Sequence, residues 1–217
     1  MVPEGIDYLT ATLTEPITCA LGAVQRGHVQ PGNTVVVIGL GGLGQLVAHI
    51  ATSAGAQTIG IDIMENRTAV AAEWCDVVLT AGKTDIVAAV LELTKGIGVD
   101  IVFEVVGRPE TFLQAFDIVR LGGRVVLVGV HSKPVLSFHP EKIFRKDIEV
   151  VGAKVPMPII NTKGEPLAFG YLEKHMRQLQ KIITAYPFTS SQAAFADQLS
   201  GKVIKAVIDL GSSATAK

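Results

Sequence analysis

Three glycines spaced as G-x-G-x-x-G, namely Gly39, Gly41 and Gly44 of GLGGLG, are the residues of this 217-residue chain best spaced for chemistry. They follow a β-branched run, TVVVI (34–38), and open an apolar helical stretch, QLVAHIATSAGA. That setting is the one in which the spacing binds a dinucleotide. Gly39 permits a tight turn. Gly41 has no Cβ, so the backbone can approach a pyrophosphate. Gly44 lets the helix pack closely on the strand. The first turn of the helix, with Gly42 and Leu43, then offers unpaired N–H groups and the positive end of a dipole to the phosphates. Asp62 ends the next strand, QTIGID (57–62), with Ile63 beside it. A carboxylate there can accept from both ribose hydroxyls and repels a 2′-phosphate, which favours NAD over NADP. Arg67 is open to three readings: it stacks on the adenine, it neutralises Asp62, or it is a solvated helix residue.

Other residues offer chemistry with less support. Glu15 and Cys19 of TEPITCALGAV (14–24) stand four residues apart, on one face of a helix. They supply at most two of the three protein ligands that a zinc site needs. His28 lies too far along to join them, so no metal ligand is assigned and Cys19 is read as a small core residue. His131 falls just after a strand, at the end of the sheet where ligands bind. It is a candidate proton donor, weighed against a solvated loop histidine. His49 is expected to be packed inside a helix. His139 and His175 carry no signal, and Lys154 is a weak candidate for the cleft. AGKT (81–84) ends like a phosphate-binding loop, but Val77 occupies the position of its first glycine.

These residues need a sheet to hold them. The pattern predicts strands at 34–38, 57–62, 76–80, 99–107, 122–130 and 147–153. It predicts helices at 15–28, 65–74, 84–96 and 109–120, besides the one after the glycine loop, with Thr14 and Thr84 as N-caps. Strands separated by helices of ten or more residues call for a parallel sheet covered on both faces. The expected fold is α/β, a doubly wound six-stranded Rossmann sheet in the order 3-2-1-4-5-6. From residue 155 the character changes: a loop-like stretch (155–166), helical spacing over 167–186, a short capped helix (188–201) and a strand (202–210).

Bulk properties narrow the classes. A net charge of −1 leaves no electrostatic footprint for nucleic acid or an anionic membrane. Two cysteines without a CxxC pair exclude a four-cysteine zinc site. No signal peptide and no charge-free run of 18 residues stand in the sequence, so a cytoplasmic protein is expected. Hydrophobic residues reach 48% and charged residues only 18%, which suggests apolar surface covered by a partner.

VQPGNTVVVIGLGGLGQLVAHIATSAGAQTIGIDI resembles the coenzyme domain of medium-chain, zinc-type alcohol dehydrogenases, in the sorbitol and threonine dehydrogenase branch. The likeness continues through GVDIVFEVVG, LGGRVVLVGV, FRKDIEVVGA and AFADQLSGKVIKAVIDL. It implies NAD as cofactor and an alcohol or polyol as substrate. It implies cofactor contacts from Val106, Gly107, Val128, Gly129 and Val130, the last three meeting the carboxamide. It places Glu15 near a catalytic zinc whose Cys and His ligands belong to a domain expected to be missing here. The expected organisation is a helix remnant (1–29), an NAD-binding domain (30–154) and an orphaned tail (155–217). Its closing strand, whose partner strands the resemblance assigns to the missing domain, is expected to pair elsewhere, to pair across a subunit interface or to fray. Dimerisation through the edge at 147–158 is also implied. Two functions follow: the NAD(H)-binding portion of an alcohol or polyol dehydrogenase, or a stand-alone, non-catalytic NAD(H)-binding module.

Overall fold

The structure is a computed structural model that describes residues 2–134, 138–154 and 167–211. The chain divides into two compact units, Cys19–Met157 and Met1–Thr18 with Pro158–Lys217. The first unit begins inside the helix α2 (Thr14–Gly27), which follows a short helix α1 (Tyr8–Ala11) capped by Asp7. β1 (Thr34–Ile38) then leads into α3 (Gly42–Ser53), β2 (Gln57–Asp62), α4 (Glu65–Ala71) and β3 (Val77–Thr80). α5 (Ile86–Leu93), β4 (Val99–Glu104), α6 (Pro109–Ile118), β5 (Val119–Leu127), α7 (Glu141–Lys146) and β6 (Glu149–Gly152) complete it. The six strands form one parallel sheet in the order β3-β2-β1-β4-β5-β6, as the alternating pattern predicts.

β1 and β4 are central, and their β-branched residues bury on both faces. Val36, Ile38 and Val102 pack with Ile59, Val90, Phe116, Ile118 and Val125 into one core cluster. α3 is buried over nearly its whole length, which explains why its sequence is apolar all round. His49 sits within it, 3% exposed, edge-on to Trp74. The end of α6 is closed by Lys146, whose Nζ donates to the carbonyls of Phe116, Asp117 and Val119. A cation is well suited to a helix C-terminus, where carbonyls lack intrahelical partners.

Several boundaries differ from the sequence pattern. α5 is capped by Asp85, which accepts from the Ala88 N–H, and not by Thr84. A carboxylate caps at least as well as a hydroxyl, so the later residue takes the position. Thr14 lies inside α2, not before it, and its hydroxyl donates to the Ala11 carbonyl. β4 stops at Glu104, and β5 starts earlier than expected, at Val119, where the backbone turns extended. Cys19 is half-buried, not a core residue, whereas Cys75 is buried. Neither forms a disulfide. Burial pushes the Cys75 thiol up to about 11, which keeps it from acting as a nucleophile near neutrality.

The second unit holds α8 (Leu167–Leu179), β7 (Ile183–Pro187), α9 (Ser191–Ser200) and β8 (Lys205–Asp209). Helical spacing predicted one helix over 167–186. Instead α8 tightens into a single 3-10 turn at Gln180–Ile182 and the chain runs on as β7. β7 pairs in parallel with β8, so of the three outcomes expected of the closing strand the one found is pairing elsewhere, within its own unit. The segment 155–166 and the end of the predicted 147–158 edge lie outside the described residues. No helix among the described residues is long and apolar enough to cross a membrane.

Candidate functional site

The strand order reverses between β1 and β4, and an open α/β sheet places its ligand crevice there, beyond the carboxyl ends. Gly39 leaves β1 with φ +95°, a conformation that a side chain would strain. A Cβ on it would also lie 2.6 Å from Val106 Cγ2, so the turn after β1 closes on the turn after β4. Gly41 is the N-cap of α3, and no side chain caps the helix there. A Cβ at Gly41 would meet nothing within 4 Å, so the backbone faces open space. A Cβ at Gly44 would lie 1.8 Å from the Gly39 carbonyl oxygen, which sets how closely α3 packs on its loop. The first-turn N–H groups, including those of Gly42 and Leu43, have no intrahelical acceptor and open onto that space.

Asp62 ends β2 and is 6% exposed. Its Oδ2 accepts from the Leu40 N–H at 2.7 Å, inside the glycine loop, and its Oδ1 accepts from the Met64 N–H at 2.9 Å. Arg67 lies with a guanidinium nitrogen 3.4 Å from Oδ2, so of its three readings the described geometry has it beside Asp62. Ile63 is exposed at the same edge. A carboxylate has about four lone-pair sites, and two good N–H donors leave room for hydroxyls.

Across the crevice the structure assembles a cluster that the sequence reading did not single out. Glu104, the last residue of β4, is fully buried. Its carboxylate accepts from the Val106 N–H at 3.0 Å, from the Gly107 N–H at 2.9 Å and from Thr111 Oγ1 at 2.7 Å. His131 Nε2 lies 2.8 Å from Glu104 Oε2. His131 is therefore not the solvated loop histidine against which its candidacy was weighed. Its ring packs edge-on against Phe112, which in turn stacks with Phe116 and Phe138. Val128, Gly129 and Val130 run alongside, the Val128 and Gly129 N–H groups donating to the Glu104 carbonyl. Gly107 and Gly129 touch backbone to backbone: a Cβ on Gly129 would lie 2.3 Å from the Gly107 nitrogen. One clue was present in VDIVFEVVG: a lone carboxylate ending a buried strand needs partners.

Glu15 is exposed on α2, a turn before Cys19. Among the described residues no group of three or more His, Cys, Asp or Glu side chains gathers to hold a metal ion. The zinc that the resemblance implies therefore finds no set of three such ligands among the described residues. His139 and Lys154 are exposed, and His175 packs on Tyr171.

A parallel sheet in this order, with a glycine-rich turn opening the helix after its first strand, defines the Rossmann class of coenzyme-binding fold. Comparison with known proteins narrows the class. The family model described as zinc-binding dehydrogenase matches residues 42–165. The sorbitol dehydrogenase of Halalkalibacterium halodurans is 31% identical over 210 residues, 95% of this chain and 60% of that protein. The D-arabitol-phosphate dehydrogenase of Enterococcus avium is 28% identical over 96% of this chain and 60% of its own length. The crystal structure of 2R,3R-butanediol dehydrogenase from Bacillus subtilis superposes with a TM-score of 0.80 at 27% identity, over 97% of this chain and 60% of that one. The chain belongs to the zinc-binding dehydrogenase family. It spans about 60% of the length of these relatives.

Proposed function

We propose that this chain is the NAD(H)-binding portion of a medium-chain alcohol or polyol dehydrogenase. The observation that carries the reading is the crevice floor: an uncapped α3 N-terminus behind an open Gly41, tied through the Leu40 N–H to the buried Asp62 carboxylate. The N–H groups of Gly42, Leu43 and Gly44 would take the pyrophosphate, and Asp62 would take the ribose hydroxyls. A carboxylate buried at that place repels a 2′-phosphate, so NAD is preferred to NADP. Arg67 tempers that repulsion in part, since it lies on the same carboxylate. Val106, Gly107 and Val128 to Val130 line the half of the crevice in which the nicotinamide would lie. When bound, NAD accepts or returns the hydride. His131 would orient its ring or carry a proton beside it, and Glu104 would fix that imidazole. The relatives, named for sorbitol, D-arabitol phosphate and butanediol, support an alcohol or polyol as the substrate class.

Titration with NADH, followed by its fluorescence, tests the reading. Asp62→Ala removes an acceptor for the ribose and should weaken NADH binding about tenfold or more. Unchanged affinity would show that Asp62 does not meet the ribose. Binding without oxidation of any alcohol or polyol would instead favour the non-catalytic module.

Among the described residues β6 lies at the edge of the sheet, pairs only with β5 and leaves Val150 39% exposed. Open strand edges recruit further strands. A homodimer formed by sheet extension at this edge is expected. Light scattering at micromolar concentration should return twice the chain mass; a monomer would refute it.

A further inference from the structure

Glu104 and His131 meet at the carboxyl ends of β4 and β5, on the side of the crevice opposite Asp62. A doubly wound sheet takes one nucleoside on each half, so with adenosine at Asp62 the nicotinamide falls beside this pair. We propose that the Glu104–His131 pair, through the net charge it carries, sets the relative affinity of the site for oxidised and reduced nicotinamide. The inference rests on the NAD(H) reading above.

Glu104 is fully buried and accepts from two backbone N–H groups, one hydroxyl and one imidazole. That set of donors is suited to a carboxylate kept ionised. An ionised carboxylate only accepts, so His131 Nε2 carries a hydrogen and donates it to Oε2. Nδ1 is buried with no hydrogen-bond partner among the described residues. Protonated there, His131 balances Glu104 and the pair is neutral. Deprotonated, it leaves one negative charge in a poorly screened wall. The oxidised nicotinamide ring is a cation and the reduced ring is neutral. The negative pair therefore attracts the oxidised form and is indifferent to the reduced one. Proton uptake at Nδ1 and binding of the oxidised cofactor weaken each other reciprocally.

The surroundings leave the pair in control. α6 presents Thr111 and the uncharged Phe112 to it, and the charged residues at its start, Arg108 and Glu110, are exposed. Beyond β5, Lys133 and His139 are exposed, and so is Lys154 after β6. Exposed charges are screened by salt far more than a buried carboxylate.

The test measures the dissociation constants of NAD+ by calorimetry and of NADH by fluorescence at constant ionic strength. It compares about pH 5.5 with about pH 8.5, which brackets the range where histidines change charge. The affinity for NAD+ relative to NADH should rise roughly three- to tenfold from the lower to the higher pH. His131→Gln should hold the ratio at its high-pH value throughout. Glu104→Gln, which keeps the size and an accepting oxygen, should shift it toward NADH at both. If Glu104→Gln does not fold, His131→Gln decides alone. Binding of both forms with a pH-independent ratio in the unaltered chain overturns this inference only. The same pH response in His131→Gln also overturns it. Failure to bind either form removes the NAD(H) reading and takes the inference with it.

Discussion

Gly44→Ala should destabilise the chain by about 3 kcal/mol or more and abolish measurable NADH binding, because its one added carbon has no room. The new Cβ would stand 1.8 Å from the Gly39 carbonyl oxygen and 2.8 Å from its carbon, and both are backbone atoms that no rotamer change can move. α3 would have to lift from the turn after β1, taking with it the N–H groups that face the open crevice. Gly41→Ala provides the contrast. Its Cβ would meet nothing within 4 Å, and its φ of −65° suits alanine. That variant should unfold at the denaturant concentration of the unaltered chain yet bind NADH more weakly, since the carbon would fill space meant for the pyrophosphate. Urea midpoints and NADH titrations on the two variants separate the roles. Equal stability loss in both would show that the loop tolerates neither for reasons unrelated to a ligand.

Glu104→Ala should cost about 3–5 kcal/mol, the range for removing one partner of a buried ionic cluster. The Val106 and Gly107 N–H groups and His131 Nε2 would lose this acceptor at once, and the Thr111 hydroxyl would keep only the Arg108 carbonyl. No water reaches a residue with no exposed surface without a rearrangement of the two turns it ties together. Thr111→Val removes only one of these donors and should cost about 1 kcal/mol. Chemical denaturation measures both. A loss under 1 kcal/mol for Glu104→Ala would mean that the carboxylate is dispensable to those turns.

The sequence specified a good deal of this. The β-branched runs at 34–38 and 99–107 read as buried strands, the second ending at Glu104 in the structure, and the glycine spacing with its flanking elements pointed to the carboxyl ends of that sheet. The position of Asp62 at the end of β2 was legible because QTIGID is a buried run closed by a carboxylate. What these readings share is locality: period, turn chemistry and strand ends are written in neighbouring residues. The misreadings share the opposite. QKIITAY has the spacing of a helix continuing LAFGYLEKHMRQL, yet Ile183–Pro187 is a strand because Lys205–Asp209 lies beside it. A strand's preference is decided by its cross-strand neighbour, which here comes some twenty residues later.

Sequence alone determined that this chain is a doubly wound sheet with a glycine loop, an acidic partner at the end of β2 and a place for His131 near the cleft. Only the tertiary structure decided what His131 is. Glu104 and His131 are separated by 27 positions, the first ending β4 and the second lying in the loop after β5. Parallel pairing of β4 with β5 puts Glu104 beside Leu127, and the chain beyond Leu127 brings the imidazole back over the carboxylate. Local pattern can show that a strand is buried. Which buried charge meets which imidazole is fixed by sheet register, a relation between distant residues that composition and periodicity do not encode.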